Sequence, residues 1–398
     1  MSTIIDSCAL IFLLALGLVN QIQCDEVYDQ FLKSSRDFTI DFLKVASKDG
    51  GNALVSPPSV LMMLALLQQG ARGNTEKELT AVLGSDSNST QVSYRNFLKT
   101  LTQKSPGVTM EWGTRLYPKK GLTILPEFKT NIEENFGTQF DEIDYKEVPP
   151  AESAGRINSW ISELTRGQIT DLVEPHMVNP DAIMLMVNVM FFKGSWRNRF
   201  KEKNTKMADF ETSRNQSVKT KFMYQKNRFY TGKNNTLGIK WIELPFEGDT
   251  HKMIFVLPTK RHTLKKAMNQ LTGDDLERII KYADLSEVRL QVPKFKLKRK
   301  YSLPKILETL GVKSIFTGES NLSGISPEPF YVTDAFHEAN TEIDEKGATA
   351  SAATLLVISR QLILTEVFRM NQPFLFFIVD NTHNLPLFAG MVVNPTVS

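Results

Sequence analysis

Large apolar residues recur at helical spacing through the first half of the chain. Between Tyr28 and Val45 this spacing places them on one face of a helix. In SPPSVLMMLALLQQGARG, Ser56 before a proline is typical of a helix start, and Gly70 and Gly73 indicate its end. The same pattern predicts further helices at Thr75–Leu83, Tyr94–Leu101, Glu127–Phe136 and Ala154–Thr165.

From Ala182 onward the pattern changes to short apolar runs of the kind that form buried strands. These runs are AIMLMVNVMFF, IKWIELPF, MIFVLP, VRLQVPKF, FLFFIVD and PLFAGMVV. Helical patterns at Leu264–Leu271, Asp274–Ala283 and Leu303–Leu310 lie between them. Because helices come early, strands come mostly late and no regular βαβ alternation is present, we expect one large α+β domain.

Composition supports a folded protein without a nucleic-acid partner. Of the 398 residues, 41% are hydrophobic and 23% are charged, which is typical of a globular chain. The 47 basic and 44 acidic residues leave a net charge of +3, with no long block of one sign. A nucleic-acid-binding protein usually concentrates basic charge on one face or tail.

The N-terminus resembles a secretory signal peptide. Ala9–Val19 is an uncharged run of eleven residues, too short to cross a bilayer core of about 30 Å. We predict a signal peptide at residues 1–24, a domain at residues 25–398 and a secreted, extracellular protein with no membrane partner. The alternative is a buried N-terminal helix. Cleavage after Cys24 also removes Cys8, so the mature chain is expected to lack disulfides.

Four asparagines stand in N-x-[ST] sequons and are glycosylation candidates if the chain is secreted. They are Asn88, Asn215, Asn234 and Asn321.

The motifs of common enzymes are absent from the sequence. His337-Glu338 lacks the second histidine of a zinc helix, and no G-x-S-x-G, P-loop or G-x-G-x-x-G motif occurs. We therefore expect no metal, no cofactor and no enzymatic activity, although residues distant in sequence can still assemble a catalytic triad.

Two features allow both a structural and a functional interpretation. The basic run KFKLKRK (Lys294–Lys300) fits a strand with a charged solvent face, or a site for a heparin-like glycosaminoglycan. Asn188 lies inside an apolar run, so it is either a buried polar node or a site residue.

A segment near the C-terminus has an unusual composition. Gly347–Thr354 reads GATASAAT, with no charge and nothing larger than threonine, and LLVI and Arg360 follow shortly afterwards. Alanine favours helix, whereas the apolar residues that follow favour strand. Small residues beside a cation suit a protease substrate; a flexible linker is the alternative.

Several motifs together resemble the serpins, the serine-protease-inhibitor superfamily. The C-terminal FRMNQPFLFFI (Phe368–Ile378) and VVNP (Val392–Pro395) match the family's signature. Six more follow the family's order: SPPS, GARGNT, VNVMFFKGSW, ELPFEG, VPKF and DEKGATA. The resemblance covers essentially the whole mature chain.

The resemblance implies a single α+β serpin domain with three β-sheets, about nine helices and an exposed reactive-centre loop at about residues 345–372. In serpins a protease cleaves this loop, and the loop then inserts into a sheet and traps the acyl-enzyme. The resemblance implies a monomer that needs no cofactor. It also implies that Ser56, Asn188 and His337 form the shutter that must part, and that Trp196 lies where insertion begins.

The predicted hinge of the loop meets the demands of insertion. Its residues are Gly347, Ala348, Thr349, Ala350, Ser351, Ala352, Ala353 and Thr354. With Gly347 as the hinge glycine, alternate residues starting at Ala348 face inward and are small or apolar, whereas Thr349 and Ser351 face the other side.

Three bonds are candidates for cleavage. Counting from Gly347 puts Gln361 before the scissile bond, and counting back from Pro373 puts Leu362 there. Arg360 is the only cation between Lys346 and Arg369 and suits the acidic pocket of a trypsin-like protease. We predict cleavage at Arg360–Gln361, then Gln361–Leu362; a third choice, Leu362–Ile363, would indicate a chymotrypsin-like target.

The sequence thus predicts a secreted suicide inhibitor of a trypsin-like serine protease. The alternative from another class is a non-inhibitory serpin with a carrier, storage or chaperone role. Acceleration by a glycosaminoglycan stays open.

Overall fold

The computed structural model describes residues 26–102, 104–345 and 366–397. Nine α-helices lie in these ranges: α1 (residues 26–46), α2 (Pro57–Gly70), α3 (Gly73–Leu83), α4 (Ser87–Leu101), α5 (Pro126–Phe136), α6 (Pro150–Leu164), α7 (Leu264–Gln270), α8 (Gly273–Lys281) and α9 (Pro304–Thr309). Helix α4 begins seven residues before its predicted start. Asp86 accounts for this, because its carboxylate accepts hydrogen bonds from the backbone N–H groups of Asn88 and Ser89.

The described residues form fourteen strands: β1 (Ala53–Val55), β2 (Val108–Pro118), β3 (Gln139–Phe140), β4 (Met184–Gly194), β5 (Lys206–Ser213), β6 (Gln216–Asn234), β7 (Ile239–Pro245), β8 (His251–Pro258), β9 (Asp284–Pro293), β10 (Phe295–Ser302), β11 (Asp334–Ile343), β12 (Glu366–Arg369), β13 (Phe374–Asp380) and β14 (Leu385–Val392). The run VRLQVPKF belongs to two strands that separate at Lys294. Strands β1, β2, β3, β5, β6, β11 and β12 were not predicted.

These strands form two hydrogen-bonded networks. The first has the order β10-β11-β4-β2-β3, in which β11 lies parallel to β4. The second has the order β1-β14-β13-β8-β7-β6-β9-β12, with β5 on β6. Because the 19-residue β6 pairs with β5, β7 and β9, it joins two of the three expected sheets into one continuous network. The predicted single α+β domain is confirmed.

Both faces of the five-stranded sheet are covered. Every residue of α2 except Gln69 is buried, and the helix contacts β2, β4 and β14. Met186 and Met190 of β4 join this main core, whereas Val187 and Val189 pack with residues of α6 on the opposite face. Coverage on both faces explains why β4 reads as a continuous apolar run instead of alternating.

Candidate functional site

The centre of the five-stranded sheet is a parallel pair of strands, β4 and β11. Their register runs from Leu185 opposite Asp334 to Phe192 opposite Thr341. The predicted reactive-centre loop leaves the end of β11 and returns in β12, which lies parallel to β9. A strand that folded back from β11 and entered between β4 and β11 would be antiparallel to both neighbours.

Several predicted features lie outside the described residues. They are the signal peptide at residues 1–24, the hinge Gly347–Thr354, and the candidate bonds at Arg360, Gln361 and Leu362.

The structure brings the three predicted shutter residues together. Asn188 of β4 lies directly opposite His337 of β11 and, on its other side, opposite Thr114 of β2. The N-terminus of α2 meets these strands from the core side and contributes Ser56 and Ser59. All five side chains are buried.

Hydrogen bonds connect this cluster continuously. The Asn188 Oδ1 accepts from His337 Nδ1 and Ser59 Oγ, each at 2.8 Å. Its Nδ2 donates to Thr114 Oγ1 at 2.9 Å and to the Ser59 carbonyl at 3.2 Å. Ser56 Oγ donates to the Leu387 carbonyl at 2.9 Å. One asparagine thus ties β4 to β2, β11 and α2 at the place where the central strands would separate.

The hydrogen bonds of His337 define one neutral tautomer. Nδ1 donates to Asn188 Oδ1, and Nε2 accepts from the Ser56 backbone N–H at 3.2 Å. Complete burial lowers the pKa of His337 to about 3. Protonation at Nε2 would replace this acceptor by a donor facing another donor.

The next residue, Glu338, points to the opposite face of the sheet. Its side chain is fully buried, and neither carboxylate oxygen has a hydrogen bond within the described structure. Lys298 Nζ lies 3.6 Å from Oε1, and Lys300 and Asp171 also act on the carboxyl. Burial outweighs the two lysines and raises the pKa of Glu338 to about 7.

His337 and Glu338 make the free energy of unfolding depend on pH in opposite directions. Because the pKa of His337 is lowered on folding, its full contribution to the free energy of unfolding is present above about pH 6.5. This contribution is lost as the pH falls below that value. The raised pKa of Glu338 makes its contribution complete below about pH 4.5, and stability is lost as the pH rises towards 7. Between pH 4.5 and 6.5 the two effects oppose each other.

The thermal midpoint of His337→Gln minus that of wild type is therefore expected to increase as the pH falls from 6.5 to 5. At pH 5, His337 lowers the free energy of unfolding of the wild type by about 2 kcal/mol, and the variant lacks this loss. Glu338→Gln is expected to change the slope in the opposite direction. Thermal scans at fixed rate between pH 4.5 and 7.5 measure both slopes, and the exposed His176 provides a control in His176→Gln. Parallel curves for all four proteins would contradict the prediction.

Trp196 lies at the end of β11 from which the loop leaves. Its indole Nε1 donates to the Asp344 carbonyl at 2.8 Å, and its ring stacks on Phe246 with centroids 4.7 Å apart. The adjacent Glu345 pairs with Lys294 and accepts from Thr205 Oγ1 at 2.7 Å. Burial alone would raise the pKa of Glu345, but these two hydrogen bonds hold it below its usual value. The residues at the start of the loop are therefore held by the hydrogen bond from Trp196 to the Asp344 carbonyl and by the Lys294–Glu345 ion pair.

The far end of the loop is fixed by Lys240. Its ammonium group lies 3.2 Å from Glu366 Oε1, donates to the Val367 carbonyl at 3.1 Å and stands 4.4 Å above the Phe368 ring. These contacts tie the first residues of β12 to β7, whereas backbone pairing holds them on the neighbouring β9.

Residues 295–300 of the basic run KFKLKRK lie in β10, so its interpretation as a strand is confirmed. Its lysines form ion pairs within the molecule: Lys294 with Glu345, Lys296 with Glu342, and Lys298 and Lys300 with Asp171. These pairs lower the positive charge that a polyanion would meet.

The sequon asparagines lie on different parts of the surface. Asn88, Asn215 and Asn321 are exposed, whereas Asn234 is half-buried at the end of β6. Within the described ranges there is no cluster of three or more histidines, cysteines or acidic residues that could hold a metal ion. The helices seen there are also too short or too polar to cross a bilayer.

The comparisons with known proteins agree with this architecture. The family model described as Serpin (serine protease inhibitor) matches residues 33–395. The leukocyte elastase inhibitor of Bos taurus is 30% identical over 92% of this chain and its own full length. The protein Iris of Ixodes ricinus is 31% identical over 89% of this chain and 97% of its own.

Solved structures give the same result. Serpin-12 of Manduca sexta has a TM-score of 0.83 with 28% identity, over 92% of this chain and 99% of its own. Maspin has a TM-score of 0.86 with 26% identity, over 93% of this chain and its full length. The chain belongs to the serpin (serine protease inhibitor) family.

Sequence reasoning missed two members of the shutter cluster and the ion pair at Glu345. Ser59 could have been found, because it stands one helical turn after Ser56 and is followed by eight apolar residues, from Val60 to Leu67. Thr114 could not, because its strand β2 was not predicted and its partner is 74 positions away in the chain.

Proposed function

We propose that this serpin is a secreted suicide inhibitor of a trypsin-like serine protease. The observation that carries the proposal is the composition of the segment between β11 and β12. Its first part, Gly347–Thr354, is small and uncharged and begins four residues after the end of the strand beside which it would insert. A carrier or storage role would not require this composition.

Arg360 supports the trypsin-like target class. The specificity pocket of a trypsin-like protease is lined by an aspartate. An arginine pairs with this aspartate, whereas a neutral side chain would leave its charge unpaired. In the proposed mechanism, the protease cleaves after Arg360, and the freed segment enters between β4 and β11 before the acyl-enzyme is hydrolysed.

The proposal is tested by mixing the purified protein with trypsin and separating the products by denaturing electrophoresis. We expect a covalent band near the summed masses and a released C-terminal fragment that begins at Gln361. Arg360→Ala is expected to slow complex formation roughly 100-fold or more. Arg95→Ala, which removes an exposed arginine from α4, should leave the rate unchanged. Quantitative cleavage without a covalent band would contradict inhibition.

An elastase-like or chymotrypsin-like target is the second candidate. It is favoured by relatives named leukocyte elastase inhibitor in Bos taurus, Sus scrofa and Homo sapiens, at 29–30% identity. Cleavage at Leu362–Ile363 would serve such a protease. The same gel with elastase and chymotrypsin distinguishes the targets, because the released fragment would then begin at Ile363.

Secretion is part of the proposal and rests on the apolar run Ala9–Val19. The full chain expressed in animal cells is expected in the medium, with an N-terminus at Asp25. Retention in the cell with an intact N-terminus would contradict it.

A further inference from the structure

Strand β12, which follows the reactive-centre loop, and its neighbours β9 and β6 present an open face. In the register of β12, β9 and β6, Val367 lies opposite Arg289, which lies opposite Lys226. Further along, Leu285 lies opposite Tyr230. We call this surface the loop-side face; its members are Val367, Arg289, Leu285, Lys226, Arg228 and Tyr230.

The loop-side face is unusual because it exposes apolar side chains. Val367 is 54% exposed, Tyr230 is 48% exposed and Leu285 is 44% exposed. On the other face of the same strands, Val288 and Leu290 are completely buried. The alternation shows that one face belongs to the core, and the outer face carries apolar groups where solvated charges would be expected.

Cations predominate among the polar groups of this face. Lys226, Arg228 and Arg289 are all exposed. Glu287 lies between them, opposite Arg228, and pairs with Lys226 at 2.7 Å. Aromatic and apolar groups combined with arginines are typical of the centre of protein–protein interfaces.

The loop-side face lies close to the predicted cleavage site, because few residues separate that site from β12. Residue 361 is five residues before Glu366, so the Arg360–Gln361 bond is within about 17 Å of β12 even when the connection is fully extended. A protease domain of roughly 230 residues has a radius of gyration of about 17 Å. A protease bound at that bond is therefore close enough and large enough to contact β12, β9 and β6.

We propose that the loop-side face is a second docking surface for the target protease, and that it accepts an acidic patch with neighbouring apolar side chains beside the protease's active-site cleft. The inference rests on the proposed function, because it places the protease at Arg360. Exposed cations steer the encounter and raise the association rate, and this gain falls as salt screens the charges. The apolar side chains extend the lifetime of the encounter complex.

The test compares two proteases of opposite charge that share one specificity, anionic trypsin and cationic trypsin. The double variant Arg228→Glu with Arg289→Glu is expected to slow covalent-complex formation with anionic trypsin roughly 10-fold at low salt, and to flatten its salt dependence. The rate with cationic trypsin should be unchanged or faster. The stoichiometry of inhibition should be unchanged, because strand insertion does not involve this face.

A matched control carries the same charge change at the other end of the molecule. Lys305 and Lys313 are exposed and lie beyond the start of β11, opposite the end from which the loop leaves. Lys305→Glu with Lys313→Glu should alter either rate less than twofold. Val367→Ser with Tyr230→Ser should weaken the binding of anionic trypsin whose nucleophilic serine is replaced by alanine.

The outcomes separate this inference from the proposed function. If the wild-type protein forms no covalent complex with either trypsin, the proposed function is wrong, and the inference fails with it. If the complex forms but the Arg228/Arg289 variant matches the control in rate and salt dependence, the docking surface alone is wrong. If the variant loses only an acceleration by heparin, the face binds a polyanion and the inference is overturned.

Discussion

Replacing Ala348 by arginine is expected to convert the protein from an inhibitor of trypsin into a substrate. Ala348 is the first inward-facing position of the predicted inserting strand, so its side chain would enter the core beneath β4 and β11. Burial of an unpaired guanidinium there is expected to raise the insertion barrier by about 3 kcal/mol. Insertion would then be roughly 100-fold slower, so that hydrolysis of the acyl-enzyme would occur before the strand is inserted.

The control for this prediction is Thr349→Arg. Residue 349 faces the opposite side of the inserted strand, and near this end of the sheet that side carries the exposed Lys193 and Glu342. The stoichiometry of inhibition, measured by titrating trypsin, should rise at least tenfold for Ala348→Arg and stay near the wild-type value for Thr349→Arg. Equal inhibition by all three proteins would exclude insertion in this register.

Asn188→Leu is expected to cause the largest loss of stability. The asparagine makes four hydrogen bonds to His337, Ser59 and Thr114, and leucine can make none. The His337 Nδ1–H would be left buried without an acceptor. We expect a loss of about 3–5 kcal/mol.

The loss is measured as a fall in the thermal midpoint at a fixed scan rate, because the unfolding of a large protein is often irreversible and its midpoint then depends on the scan rate. Roughly 5–10 °C is expected for a chain of this length. Asn74→Leu removes an exposed asparagine with one side-chain bond, to Glu78, and should change the midpoint by less than about 2 °C. Since Asn188 joins the strands that the proposed insertion would separate, native gels should also show polymers of the leucine variant after mild heating. A midpoint equal to that of wild type would show that the cluster does not hold the sheet.

Local sequence patterns predicted the helices well because helix formation depends on neighbours three and four positions apart. The exception is α4, which begins before its predicted start because Asp86 caps it. The spacing of apolar residues carries no information about a capping residue. Strand β11 was missed because His337, Glu338, Asn340 and Thr341 are polar yet buried. Their burial depends on β4, β10 and α6, which are remote in the chain.

The sequence by itself determined the family, the α+β class and the composition of the loop, because these depend on residue identity and order. Only the tertiary structure decided that Asn188 would bond to Ser59, His337 and Thr114, and that Val367, Arg289 and Tyr230 would share one open face. Both arrangements depend on strand register between segments tens to hundreds of residues apart. Register follows from packing of the whole sheet, so no local pattern along the chain contains it.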